Sequence, residues 1–408
     1  MHKLASLLRP GPLLIINIFL GFLLTLHGTI STFTNSSFLE TLVPERLIGS
    51  IYTISSIAAF FIHLALPKIL RKYGNYHATM ALLFGALCTL ALLFTSTSPI
   101  VLLTAIIVYM AIITVMALNI DLIIDEYSAS DTVGGIRGIY LTMVNTAYIL
   151  SPIVGATIIE RYSTQGGNAF AYIYMAGFLL LLPVFFVFSY YFKNFKDPEY
   201  PEISFKKTIR YIRDNHDIAK ILFTSFLLQF FYAIMVVYMP IFLNKYIGFE
   251  WTTIGVIFAI MLVPFVLFEA PLGKIADAYL GEKEILATGF IIIAISTCLC
   301  GFMTVPSFLL WVVLLFITRI GASMIEIMND VYFFKVVDKK AIDIINIFRM
   351  TRPIAYIAAP IFAMIIMYMS DLTMFDEPKM LDYRYLFFAL GLTLFAGFYT
   401  ALSIKDTK

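Results

Sequence analysis

Charge is scarce in this chain. Only 13% of its 408 residues are Asp, Glu, Lys or Arg, where a soluble domain carries about a quarter. Cysteine is scarcer still. Cys88, Cys298 and Cys300 all fall inside apolar runs, which excludes a disulfide framework and a thiolate metal site. The five histidines lie in separate segments. Clustered catalytic or metal groups are therefore missing, and neither an enzyme nor a cofactor is expected. No glycine-rich phosphate loop is present either. The net charge of +2 comes from basic residues scattered through loops, which argues against a nucleic-acid partner.

Apolar side chains are what the chain has in excess. They make up 61% of it, and the mean hydropathy is +0.91. The expected fold is all-α and integral to a membrane, because a span needs about 20 mostly apolar residues. Twelve such spans are predicted, at 11–34, 47–66, 77–96, 100–124, 137–159, 169–192, 219–243, 252–272, 286–304, 307–334, 344–369 and 385–404. The first apolar run is too long for a signal sequence and is read as an uncleaved span. Turn signals such as "TSTSP" at 95–99 and "STQGGN" at 163–168 separate spans.

Lysine and arginine set the expected orientation. With the N-terminus inside, 22 of the 28 fall on the inner side. Arg46, Arg161, Lys245, Lys379 and Arg384 fall outside, and Arg319 lies within a span. Both termini are thus expected in the cytoplasm, with the plasma membrane as the setting. Residues 193–218 form the longest inner segment. Its "ISFKKTIRYIRDNHD" places Phe205, Ile209 and Ile212 at helical spacing among four basic residues, the pattern of an interfacial amphipathic helix.

A weak repeat divides the chain. "AYILSPIVGA" at 147–156 matches "AYIAAPIFA" at 355–363, "NID" at 119–121 matches "MND" at 328–330, and "PKILRKYGNY" at 67–76 matches "GKIADAYLGEK" at 273–283. The three keep one order and nearly one offset, so two pseudo-symmetric six-helix bundles are expected, 1–192 and 219–408, joined by the linker 193–218. Spans three, six, nine and twelve carry no charge in their cores, which suggests a peripheral place for every third helix. Pro152, Pro264 and Pro360 are candidate kinks.

In these features the chain resembles the major facilitator superfamily. The nearest local likeness is "PLGKIADAYLGEK" at 271–283, which is similar to the family's loop between the second and third helices of a half. Gly273, Asp277, Gly281 and Lys283 are the matching positions; the second glycine stands one residue later than in the family pattern. The first-half copy has Pro67 for the glycine and Arg71 for the acid. The resemblance implies a monomeric secondary transporter that moves a small organic solute by alternating access, with proton coupling expected. Drug-type efflux and a non-transporting sensor of the same fold stay open as alternatives. It also implies a cytoplasmic gate in which Asp277 meets the start of span five, where Arg137 stands.

Polar residues within spans are costly in lipid and should face a cavity or a partner. Span ten carries a stripe of them. At about 1.5 Å per residue, Arg319 lies roughly 18 Å below the span's start and Glu326 about 10 Å deeper. Arg319, Ser323, Glu326 and Asp330 share one helix face. Spans ten and eleven form an antiparallel hairpin, which puts Glu326 level with Arg352 and Asp330 level with Arg349. These four are read either as gate-level ion pairs or, for Glu326 and Asp330, as a proton site titrating as a pair. Glu269, deep in span eight, is a further proton candidate or a partner for Arg352. Arg319 has no acid level with it, only Pro360 and Tyr356. A guanidinium suits a carboxylate or phosphate, so substrate contact, a cross-bundle bond and control of a neighbour's ionisation are its three readings. Gln229 and Tyr232 in span seven, and Asn145 and Tyr148 in span five, are uncharged cavity candidates. His27, with Ser31 and Thr34 on its face, either contacts substrate or is a neutral structural histidine.

Overall fold

The structure is a computed structural model that describes residues 12–127, 133–163, 168–195, 197, 205–278, 281–337, 342–371 and 379–405. Within them every regular element is a helix. The order is α1 (Pro12–Thr29), α2 (Asn35–Glu40), a 3₁₀ turn (Glu45–Leu47), α3 (Ile48–Thr95), α4 (Pro99–Tyr127), α5 (Val133–Ser163) and α6 (Ala169–Tyr191). Then follow α7 (Phe205–Asp214), α8 (His216–Ile241, running on as a π turn through Tyr246), α9 (Trp251–Ala278), α10 (Glu282–Phe302), α11 (Phe308–Val336), α12 (Ile342–Asp371) and α13 (Met380–Leu402). Lipid offers the backbone no hydrogen bonds, so long apolar runs close theirs internally as helices. Among the described residues ten helices are long and apolar enough to cross a membrane, and α1 adds a shorter apolar one.

The 48-residue α3 is two spans in sequence. Gly74 interrupts it with φ 77 and ψ 162, a conformation glycine tolerates and L side chains rarely adopt. The second segment restarts at Asn75, whose backbone N–H donates to Asp197 Oδ1 at 2.7 Å. That carboxylate does the work of an N-cap from across the sequence. With α3 divided at Gly74 and α1 included, the helices are compatible with the twelve spans expected.

Packing sorts the chain into two units, Met1–Phe38 with Ala58–Tyr200, and Leu39–Ile57 with Pro201–Lys408. In the first unit a neutral network ties α3 to α4. Thr79 donates to Asn75 Oδ1 at 2.8 Å, Asn75 Nδ2 to the Asn119 carbonyl at 3.1 Å, and Asn119 Nδ2 to Thr79 at 3.2 Å. In the second unit α8 is the central helix; 83% of its apolar window is buried, against 28% for α6 in the first. The peripheral reading suits α6. It does not suit α10, 61% buried, because small residues let α11 and α13 close on it. A Cβ on Gly321 would stand 2.8 Å from the Gly289 carbonyl, and one on Gly391 2.7 Å from the Ala294 carbonyl. Close backbone approach of this kind replaces the hydrophobic drive that lipid removes. The linker helix is present as α7, against α8 and α12.

Candidate substrate and coupling site

The polar stripe on α11 meets α8 and α12 inside the second unit. α11 begins with an apolar run that suits lipid, then turns a cation inward. Arg319 is 3% exposed. Its guanidinium carbon stands 5.2 Å from the ring centre of Phe231 and 5.3 Å from that of Tyr232, consecutive residues of α8. Such contacts stabilise a desolvated cation by about 2 kcal/mol. They do not use its N–H groups, and Nε has no hydrogen-bond partner among the described residues. A buried donor left so costs about 1–3 kcal/mol.

Glu326, two turns along the same face, accepts a hydrogen bond of 2.7 Å from the Tyr232 hydroxyl. Asp330, Arg352 and Arg319 all lie within electrostatic reach of its carboxylate. The level-pair expectation thus places Arg352 in Glu326's surroundings, but the hydrogen bond Glu326 accepts comes from α8. Arg352 also lies over the Tyr356 ring at 5.8 Å, and Tyr356 is in reach of Arg319. Arg349 is half-buried one turn earlier on α12. Below the site, Thr224 bonds Asn329 at 2.7 Å and Ser225 bonds Thr351 at 3.1 Å, fixing α8 to α11 and to α12. Phe265 of α9 faces the Tyr232 ring at 6.5 Å. Arg319, Tyr232, Glu326 and Tyr356 are therefore brought together, and Gln229 lies one turn before Tyr232, half-buried.

The remaining expected residues are placed elsewhere. Asn145 and Tyr148 are half-buried on α5 of the first unit. His27 is buried on α1 of that unit, with Nδ1 at 2.5 Å from the Leu24 carbonyl and the edge of Tyr109 nearby. A carbonyl only accepts, so Nδ1 carries the proton and Nε2 presents a lone pair; Nε2 has no partner among the described residues. Gly281 is the buried residue before α10. Arg137, Glu269, Gly273 and Asp277 lie on helices, but their side chains are outside the described part, as is any contact between Asp277 and Arg137.

Two clusters were not anticipated. Glu45, 5% exposed, accepts from Lys245, from Tyr246 at 3.0 Å and from Tyr383. Glu40 stands 3.6 Å from the same lysine. A nest of Phe242, Tyr246, Trp311, Tyr383 and Phe387 rings encloses them. At the other end of the unit, Lys335 bonds buried Glu282 at 2.6 Å and joins α11 to α10. Glu45 and Lys245 read in sequence as ordinary loop charges; the signal available was the prolines and aromatics beside them, which does not name a partner.

A bundle of lipid-length helices with an occluded cation and a carboxylate at its polar core has the build of a membrane carrier. The sequence model of the Major Facilitator Superfamily matches residues 122–263 and 221–408, and the chain belongs to that superfamily. It is a secondary transporter and not an enzyme. Solved structures agree on the fold. A single-substitution variant of the nucleoside transporter NupG aligns with TM-score 0.74 and 17% identity, over 96% of this chain and all of that one. A bacterial homologue of the human lysosomal transporter Spinster, inward-facing and unoccupied, gives 0.71 and 11%, over 95% of each chain. A structure from work on substrate recognition in proton-dependent oligopeptide transporters gives 0.72 and 12%, over 96% of this chain and 98% of that one. No curated protein matches the sequence.

Proposed function

We propose that this transporter carries a small polar organic solute with an anionic group, in step with protons, by alternating access. The observation that carries the reading is Arg319: a cation buried in the bundle, braced by two rings, with an Nε–H that has no acceptor among the described residues. An anion supplies the missing acceptor, and a guanidinium takes a carboxylate or phosphate on two donors. Glu326 and Asp330 are the proposed proton-carrying groups. At 3% exposure Arg319 is out of reach of bulk solvent, so a solute meets it only after a conformational change, as alternating access requires. With the orientation set by the basic loops, the Glu45 cluster belongs to the outer end of its unit and serves as the outer gate.

The test is flux into proteoliposomes, with and without an inward-directed proton gradient, of succinate, lactate, inorganic phosphate, uridine and a dipeptide. Uptake of a member of this panel, accelerated by the gradient and lost in Arg319→Gln with folding intact, is expected. Normal uptake by Arg319→Gln refutes the Arg319 assignment. Gradient-driven extrusion of a hydrophobic cation in place of panel uptake would make drug-type efflux the better reading.

A further inference from the structure

We infer that Tyr232 is the link through which the cation at Arg319 and the carboxylate at Glu326 sense each other. The inference rests on the proton-linked reading above and adds a residue that joins its two halves. The geometry is that of one side chain used twice. The Tyr232 ring lies against the Arg319 guanidinium at 5.3 Å, and its hydroxyl donates to Glu326 at 2.7 Å. Arg319 and Glu326 stand on the same face of α11, two turns apart, and Tyr232 reaches both from α8.

The two uses depend on each other. A guanidinium over the ring draws electron density from the phenol and strengthens its O–H as a donor. That strengthens the hydrogen bond that holds Glu326 as a carboxylate. An anion on Arg319 cancels the charge over the ring and weakens the same donor. Glu326 then gains by holding a proton of its own, with which it donates back to the tyrosine oxygen. Anion and proton thus favour each other's binding, and by linkage the effect is reciprocal. The groups facing Glu326 are Tyr232 from α8, Arg352 from α12, and Arg319 and Asp330 from its own helix; Phe265 is the α9 ring against Tyr232. Of these, Tyr232 touches both Arg319 and Glu326. A purely structural tie between α8 and α11 would need the hydroxyl but not the cation above the ring.

The experiment needs no substrate, because Arg319→Gln removes the charge much as a bound anion does. In nanodiscs, the carboxyl infrared band of Glu326, assigned by its loss in Glu326→Gln, is titrated in the native chain, Arg319→Gln, Tyr232→Phe and the double variant. Arg319→Gln is expected to move the titration midpoint about tenfold in proton concentration when Tyr232 is present. In the Tyr232→Phe background the movement is expected to fall below about threefold. Equal movement in both backgrounds overturns the inference, as does no movement in either. If Tyr232→Phe does not fold, Glu326→Asp, which draws the carboxylate back from the hydroxyl, is used in its place with the same expectation. A cycle that holds while no proton gradient drives flux refutes the transport reading alone. Gradient-driven flux with an additive cycle refutes the coupling alone.

Discussion

Glu45→Ala tests how much of the second unit's stability one buried carboxylate carries. The acid is 5% exposed and has three donors. They are not equal. Lys245 is 45% exposed and also within 3.6 Å of Glu40, so its loss of Glu45 is screened and costs well under 1 kcal/mol. Tyr383 is fully buried, and without Glu45 its hydroxyl loses the acceptor it has among the described residues, at about 1–3 kcal/mol. Tyr246 adds about 1 kcal/mol, half of a charge-assisted bond being recoverable elsewhere. The alanine variant should therefore lose about 3 kcal/mol in detergent unfolding. Glu45→Gln, which keeps an acceptor without the charge, should lose about 2. The decisive measurement is the cycle with Tyr383→Phe: a coupling of about 1–2 kcal/mol is expected between residues in contact. Additive losses, or an alanine cost below about 0.5 kcal/mol, would show that the carboxylate is satisfied without these phenols.

Other sites give sharper or smaller effects. Gly321→Ala places a Cβ 2.8 Å from the Gly289 carbonyl and the Ile293 nitrogen; both are backbone and cannot turn aside, so folded yield should drop severely while Gly28→Ala, with open space around it, is tolerated. Lys335→Gln removes the Lys335 cation from buried Glu282; because Lys335 is 39% exposed, a loss of about 1 kcal/mol in unfolding is expected, and no loss would mean that the acid is satisfied without this lysine. Asp197→Ala removes the cap on the second segment of α3. It should cost about 1 kcal/mol and raise hydrogen exchange at Asn75 in particular.

Local chemistry was readable and long-range partnership was not. The spans follow from apolar runs, because lipid leaves the backbone no other solution. Arg319 could be singled out because depth and helix phase depend only on position along one helix. Its company could not. Phe231 and Tyr232 lie on α8, and the hydrogen bond from Tyr232 to Glu326 crosses 94 residues. Equal depth in the hairpin puts Arg352 near Glu326, yet depth alone does not decide which side chain fills the space; that depends on how α8 packs over the pair. Glu45 was harder. Its phenol partner stands 338 residues away, and a carboxylate before a span ordinarily caps a helix or meets water. The burial of α10 was misjudged for a related reason. Lack of charge reports what a helix avoids, whereas its place here is set by Gly289, Gly321 and Gly391.

The two units differ in the kind of polarity they bury, and that difference can be tested at His27. In the second unit the polar core holds a cation, two acids and a phenol between them. In the first, the described network of Asn75, Thr79 and Asn119 is neutral, and His27 presents an unprotonated Nε2 with no partner among the described residues. An acceptor of that kind suits a solute N–H or O–H. His27→Phe keeps the ring that Tyr109 packs on and removes the acceptor. If His27 binds solute and the second unit handles protons, KM in the flux assay should rise about tenfold, the worth of one neutral hydrogen bond with its desolvation. The number of protons moved per solute should not change. Loss of proton linkage with KM intact would place His27 in the coupling path and would overturn its assignment to solute binding.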